Sequence, residues 1–173
     1  MKKLIIIAAI ALCGAFAQAA SVNWSANVIQ SSPDTAVGAG WFVQVFESTV
    51  SYNYEDAVAG SINAWADGAT FAAGTTFRVT GTGTQDNGTT KSYYMVIYDA
   101  ANIGDAKNYI VSDNVSVTIT TGGSTGNLPF GAMNGTTSGN KFINSEWQAV
   151  PEPTTGLLLL LGVAGLALRR KQA

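Results

Sequence analysis

The 173-residue chain contains no histidine and one cysteine, Cys13. Without an imidazole, histidine-based acid–base or nucleophilic catalysis is excluded, and so are the usual zinc sites. A single cysteine cannot close a disulfide within the chain. Charge is scarce as well, at 12% of residues, and the cations are unevenly placed. Lys2, Lys3, Arg169, Arg170 and Lys171 lie at the two ends. Between Ala20 and Ala149 only Arg78, Lys91, Lys107 and Lys141 stand against ten acids, a net charge of −6 (4 − 10). A surface of that sign repels phosphate, which argues against nucleic acid as a partner. No fixed-period repeat runs through the chain, which argues against a solenoid.

What the chain does have is most distinctive at its ends. Lys2 and Lys3 precede the apolar run Leu4–Leu12, and Ala17-Gln18-Ala19 supplies a small-x-small site. This pattern is a secretory signal peptide over residues 1–19, cut after Ala19 or, alternatively, Ala20. Cys13 falls inside this signal peptide, and its neighbours Leu12 and Gly14-Ala15-Phe16 do not fit a lipoprotein site.

At the other end, Gly156 to Leu168 reads GLLLLLGVAGLAL, without a polar side chain. As a helix it is roughly 20 Å long, short of the ~30 Å hydrocarbon core of a bilayer. Arg169, Arg170 and Lys171 can make up the difference by snorkelling to the headgroups. A transmembrane helix over 156–168 is therefore predicted. The three cations stop transfer and keep the C-terminus on the cytoplasmic side, with the body outside. Just before the run, Pro151 and Pro153 restrict the backbone to extended geometry and present Glu152 on an accessible spacer, Val150-Pro151-Glu152-Pro153.

That spacer, the Leu/Gly/Ala-rich helix and the basic terminus occur in a fixed order and resemble a PEP-CTERM sorting signal of Gram-negative-type bacteria. The resemblance covers residues 150–173. It implies processing by an exosortase, a transpeptidase-like membrane enzyme, and delivery of the body to the cell surface or an extracellular polysaccharide matrix. Similar tails occur on unrelated bodies, some ice-binding proteins among them, so the tail does not assign the body an activity.

Residues 20–149 are enough for one domain with a core. Val22, Trp24, Ala26 and Val28 alternate with Asn23, Ser25 and Asn27, a half-buried strand. Trp41–Phe46 and Lys91–Tyr98 are apolar on both faces, as central strands are. Val58, Ile62 and Trp65 share one face of a short helix, with Asn53 as N-cap and Gly68 as its stop. Asp86-Asn87-Gly88 is a turn signal that predicts a hairpin over about 76–98. Tyr109–Val111 and Val115–Ile119 add strands, and Leu128–Phe130 and Phe142-Ile143 short edge strands. The fold class is all-β, an antiparallel sandwich or jelly roll with one short helix.

Three groups within the body could carry a site. Thr80, Thr82 and Thr84, with Thr118 and Thr120, could offer spaced hydroxyls to ice or a polysaccharide; the plain alternative is the solvent side of ordinary strands. Trp41, Tyr52, Tyr54, Trp65, Tyr94 and Tyr98 could stack on sugars, with Tyr52 and Tyr54 expected at the surface, or could be core. Glu55, Asp56, Asp99, Asp105 and Asp113 could hold calcium or form a hydrolytic pair, but none fits a calcium-loop spacing. The reading that follows is a non-enzymatic surface or matrix protein without cofactor or metal. The alternative is a carbohydrate- or ice-binding module delivered by the same route.

Overall fold

The computed structural model describes residues 19–27, 32–34, 40–70, 78–123, 125–132, 141–142 and 145–151. The segment expected to be a signal peptide, up to residue 18, the apolar run 156–168 and Glu152, Pro153, Arg169, Arg170 and Lys171 lie outside them. Among the described residues no helix is long and apolar enough to cross a membrane.

The body is all-β with one short helix. Its elements are β1 (Ala19–Asn27), β2 (Phe42–Glu47), α1 (Tyr54–Val58), β3 (Ala66–Thr70), β4 (Arg78–Asp86), β5 (Thr90–Tyr98), β6 (Asn108–Val111), β7 (Val115–Thr118), β8 (Thr125–Ala132) and β9 (Gln148–Ala149). A 3-10 turn spans Ile103–Asp105. The strands form a small sheet in the order β4-β1-β8 and a larger one in the order β3-β2-β5-β6-β9, with β7 also paired to β5. Val22, Trp24 and Ala26 of β1 share one core with Val43 and Val45 of β2 and Tyr93, Met95 and Ile97 of β5. The sandwich is not wholly antiparallel, because β1 runs parallel to β8. β8 is an edge strand whose Pro129 sits at a register shift, where a missing N–H costs the ladder least.

The hairpin predicted over 76–98 does not form. β4 pairs with β1 in the small sheet, whereas β5 pairs with β2, β6 and β7 in the larger one. The Asp86–Gly88 turn carries the chain from one sheet to the other, and the Gly88 amide donates to Ile119 O at 2.8 Å. The side chains explain the separation. β5 is buried on both faces from Tyr93 to Tyr98, so it needs cover on both sides. β4 turns Thr80, Thr82 and Thr84 to solvent and suits a sheet with one wet face.

The inner face of β4 explains the Thr-Gly-Thr-Gly-Thr pattern. A Cβ at Gly81 would enter the ring of Trp24, and one at Gly83 the ring of Trp65. Trp65 also packs on Tyr93 with ring centroids 4.4 Å apart, and its Nε1 donates to Thr84 O at 2.8 Å. One indole thereby joins the edge of the larger sheet to the backbone of the smaller.

The helix is shorter than its pattern predicts. Asn53 is the N-cap, its side chain accepting from the Asp56 amide at 3.2 Å. The stop comes at Gly60 rather than Gly68, since Gly60 takes φ +69°. Gly60 N donates to Ala57 O and Ser61 N to Asp56 O, the paired bonds of a Schellman ending. Val58 is consequently exposed, and Tyr54 and Ala57 form the buried face. Trp65 leads into β3, a strand not anticipated because Ala66–Thr70 lacks β-branched alternation. Of the expected Phe142-Ile143 strand, Phe142 lies in a turn and is buried in the core; Ile143 is outside the described residues.

A second apolar layer covers the outer face of the larger sheet. Phe46, Tyr54, Tyr94, Val96 and Tyr98 form it, flanked by Tyr52 and Tyr109. Burial raises the phenol pKa of all six tyrosines, Tyr93 and Tyr94 to about 12. A raised folded-state pKa contributes stability that is complete below the unfolded value near 10 and is lost as pH climbs through the folded value. Alkaline titration followed at 295 nm should therefore show little phenolate near pH 10, then a rise coincident with loss of near-UV circular dichroism. Independent ionisation near pH 10 with the fold intact would refute this packing.

Gly81→Ala and Gly83→Ala should each destabilise the body by about 1–3 kcal/mol through overpacking. Thr82→Ala between them should cost under about 1 kcal/mol. Denaturant melts read by tryptophan fluorescence would separate the two classes, and equal costs at all three positions would count against the tryptophan–glycine contacts.

Candidate functional site: a free polar face and a docked tail

β1 is the centre of the small sheet, and the register aligns three rows across its outer face. Ser21 lies between Thr84 and Thr125, Asn23 between Thr82 and Asn127, and Ser25 between Thr80 and Pro129. At strand spacings of ~4.8 Å and ~6.8 Å for alternate residues, the rows cover roughly 10 by 14 Å. All nine side chains are exposed or half-exposed, and none is charged. Arg78 follows at one end of β4, exposed and without an acidic partner among the described residues, and Asp86 stands at the other end. A shallow groove of about 410 Å³ crosses this face, lined by Asn23, Ser25, Arg78, Thr80, Thr82 and Asn127. Thr80, Thr82 and Thr84 thus lie together on it. Thr118 and Thr120 do not, because β7 belongs to the other sheet.

The aromatic residues are placed differently. Tyr54, expected at the surface, is buried, and its hydroxyl donates to Ile103 O. Tyr52 is half-buried; its hydroxyl donates to Tyr98, which donates in turn to Gln44 Oε1. The rings are engaged by one another, with Phe46 stacked on Tyr94 and Tyr54 on Tyr109. Trp41 is buried edge-on to Trp147. A second shallow groove of about 370 Å³ passes Tyr52, Tyr94 and Asp113, but the ring faces there are largely taken.

The acids do not converge. Glu55 and Asp56 are exposed in the first turn of α1, Asp105 accepts from Asn102, and Asp113 is exposed. Among the described residues there is no cluster of three or more metal-ligating side chains. Asp99 is buried and fully engaged. Its Oδ1 accepts from the Lys107 and Asn108 amides at 2.9 and 3.0 Å, and its Oδ2 from Ser32 Oγ at 2.8 Å and Asn108 Nδ2 at 2.9 Å. Burial alone would raise its pKa, but these donors together hold the carboxyl below the usual carboxylate range. Asp99 is a clasp that ties the 32–34 segment to the β5–β6 connection. No local motif marks it: three of its donors lie eight or nine residues on, beyond the 3-10 turn, and the fourth, Ser32, is 67 residues back.

The tail begins inside the fold. Gln148 and Ala149 pair with Tyr109 and Asn108, and the Val150 amide donates to Lys107 O at 2.8 Å. Val150 packs against the tyrosine layer, and Pro151, exposed, is where the chain leaves the sheet. At the opposite end of the described chain, Ala19 is already paired with Asp86 in β1; Ala17 lies outside the described residues.

Residues 149–171 match the PEP-CTERM protein-sorting motif. The tail is a sorting signal. Such signals are processed by exosortase, and this one implies export and membrane-anchored sorting toward the cell surface. The PEP-CTERM match starts at Ala149, so its first two residues are also the last two held by the sheet. No curated protein matches the chain.

Asp99→Asn should cost about 2–3 kcal/mol at neutral pH, since buried donors lose a charged acceptor. A depressed folded pKa gives stability that is present above the unfolded value near 3.9 and is lost as pH falls through the folded value. The gap between wild type and Asp99→Asn should therefore narrow in melts below about pH 4. A gap constant down to pH 2 would contradict the clasp.

Proposed function

We propose that this protein is a non-enzymatic surface or matrix component whose body is carried out of the cytoplasm by residues 1–19 and held at the membrane by residues 156–168. Exosortase then processes it near Pro151-Glu152-Pro153. The observation that carries the reading is the sorting motif at 149–171 joined without slack to a compact β-sandwich. Between Pro151 and Gly156 the chain can reach at most roughly 17 Å, so before processing the β6–β9 edge sits close to the bilayer. Exposed Pro151 is the first position past the sheet where a processing enzyme finds free backbone. A non-enzymatic body is consistent with carboxylates that are taken up structurally, Asp99 by four donors, Asp34 by Asn108 and Glu47 by Lys91. Delivery to an extracellular polysaccharide matrix fits the same route, and the grooved face of the small sheet, with its mixed threonine, serine and asparagine rows, favours a carbohydrate-binding role over an ice-binding one.

Replacing Pro151, Glu152 and Pro153 with alanine should leave the body folded but retain the full-length chain in the membrane fraction. Replacing Arg169, Arg170 and Lys171 with glutamine should let the tail slip and release unprocessed chain. Fractionation and intact-mass measurement check both, and wild-type processing and display in the first variant would remove the motif from the mechanism.

A further inference from the structure

Exposed hydroxyls on the larger sheet satisfy one another. The Thr90 and Thr118 oxygens lie 2.9 Å apart, and those of Ser92 and Ser116 2.6 Å apart. The outer face of the small sheet behaves otherwise. Asn23, Ser25, Thr80, Thr82 and Asn127 are brought side by side by the register, yet their side chains make no hydrogen bond to one another or to other described residues. Amides and hydroxyls that each donate and accept are left unpaired along a groove of about 410 Å³.

Charge narrows what can fill the groove. A polyanion would be repelled by a body of net charge −6 that offers one guanidinium, Arg78, at this face. A polycation would need carboxylates, and the groove lining has none. A neutral ligand dense in groups that both donate and accept complements the array. Ice calls for one flat repeated row, whereas here a threonine row adjoins serine and asparagine and the surface is grooved.

We infer that the outer face of the β4-β1-β8 sheet binds a neutral polysaccharide, with Asn23, Thr82 and Asn127 contacting sugar hydroxyls at its centre and Arg78 bounding one end. The inference deepens the proposed function and relies on it only for where the body meets glycans.

The test is affinity electrophoresis of the detergent-solubilised full-length chain through gels containing a β-glucan, a xylan or a galactomannan, with an alginate gel for comparison. At least one neutral gel should retard the chain, equally at low salt and at about 0.5 M salt. The Asn23→Ala/Thr82→Ala double variant should bind at least about tenfold more weakly with an unchanged thermal midpoint. Thr118→Ala on the other sheet should bind as wild type does. The inference is overturned by retardation in alginate alone that salt abolishes, by no retardation in any neutral gel, by ice-recrystallisation inhibition without glycan binding, or by a double variant that binds normally. Retardation alongside failed surface delivery would overturn the sorting route and leave this face intact.

Discussion

Strand β5 cannot leave either face to water. From Tyr93 to Tyr98 every side chain is buried, and burying such a run is worth about 1.5–3 kcal/mol per large apolar residue. One face is covered by the small sheet through Trp24, Val22 and Leu128. The other is covered by α1, the 3-10 turn and the tyrosine layer. Two sheets and a covering layer follow from that one strand, and so does the parting of β4 from β5.

The small sheet has the complementary character. Its inner face carries Val22, Trp24, Val79 and Leu128, with glycines where the two indoles approach, and its outer face carries short polar side chains. A sheet in contact with the core on one side alone is free to present the other, and that is where the uncharged array lies. Two buried polar side chains are handled with equal economy. Gln85 is held by Tyr93 and Thr89, and Asp99 by four donors, so each fixes the path of a connection as well as satisfying itself.

The join between body and tail has a mechanical consequence. β9 is two residues long and lies at the edge of the larger sheet, and Val150 adds one further backbone bond to Lys107. That short pairing holds the first two residues of the sorting motif, Ala149 and Val150, against the sheet and the tyrosine layer, and Pro151 beyond it is exposed.

Local pattern alone determined much of this protein. Alternation in β1, the two-faced apolar runs of β2 and β5, the Asn53 cap and the ordered Pro-Glu-Pro, apolar and basic tail are all short-range features, and short-range physics reads them directly. Tertiary structure decided the rest. Asp86-Asn87-Gly88 has the chemistry of a hairpin turn, yet the burial demanded by β5 overrode it and sent the flanking strands into different sheets. Tyr54 is buried because its ring stacks on Tyr109 and its hydroxyl reaches Ile103 O, partners that only the folded chain brings to it. The rows of Ser, Asn and Thr that make up the polar face come from strands separated by dozens of residues, and only pairing in register places them side by side.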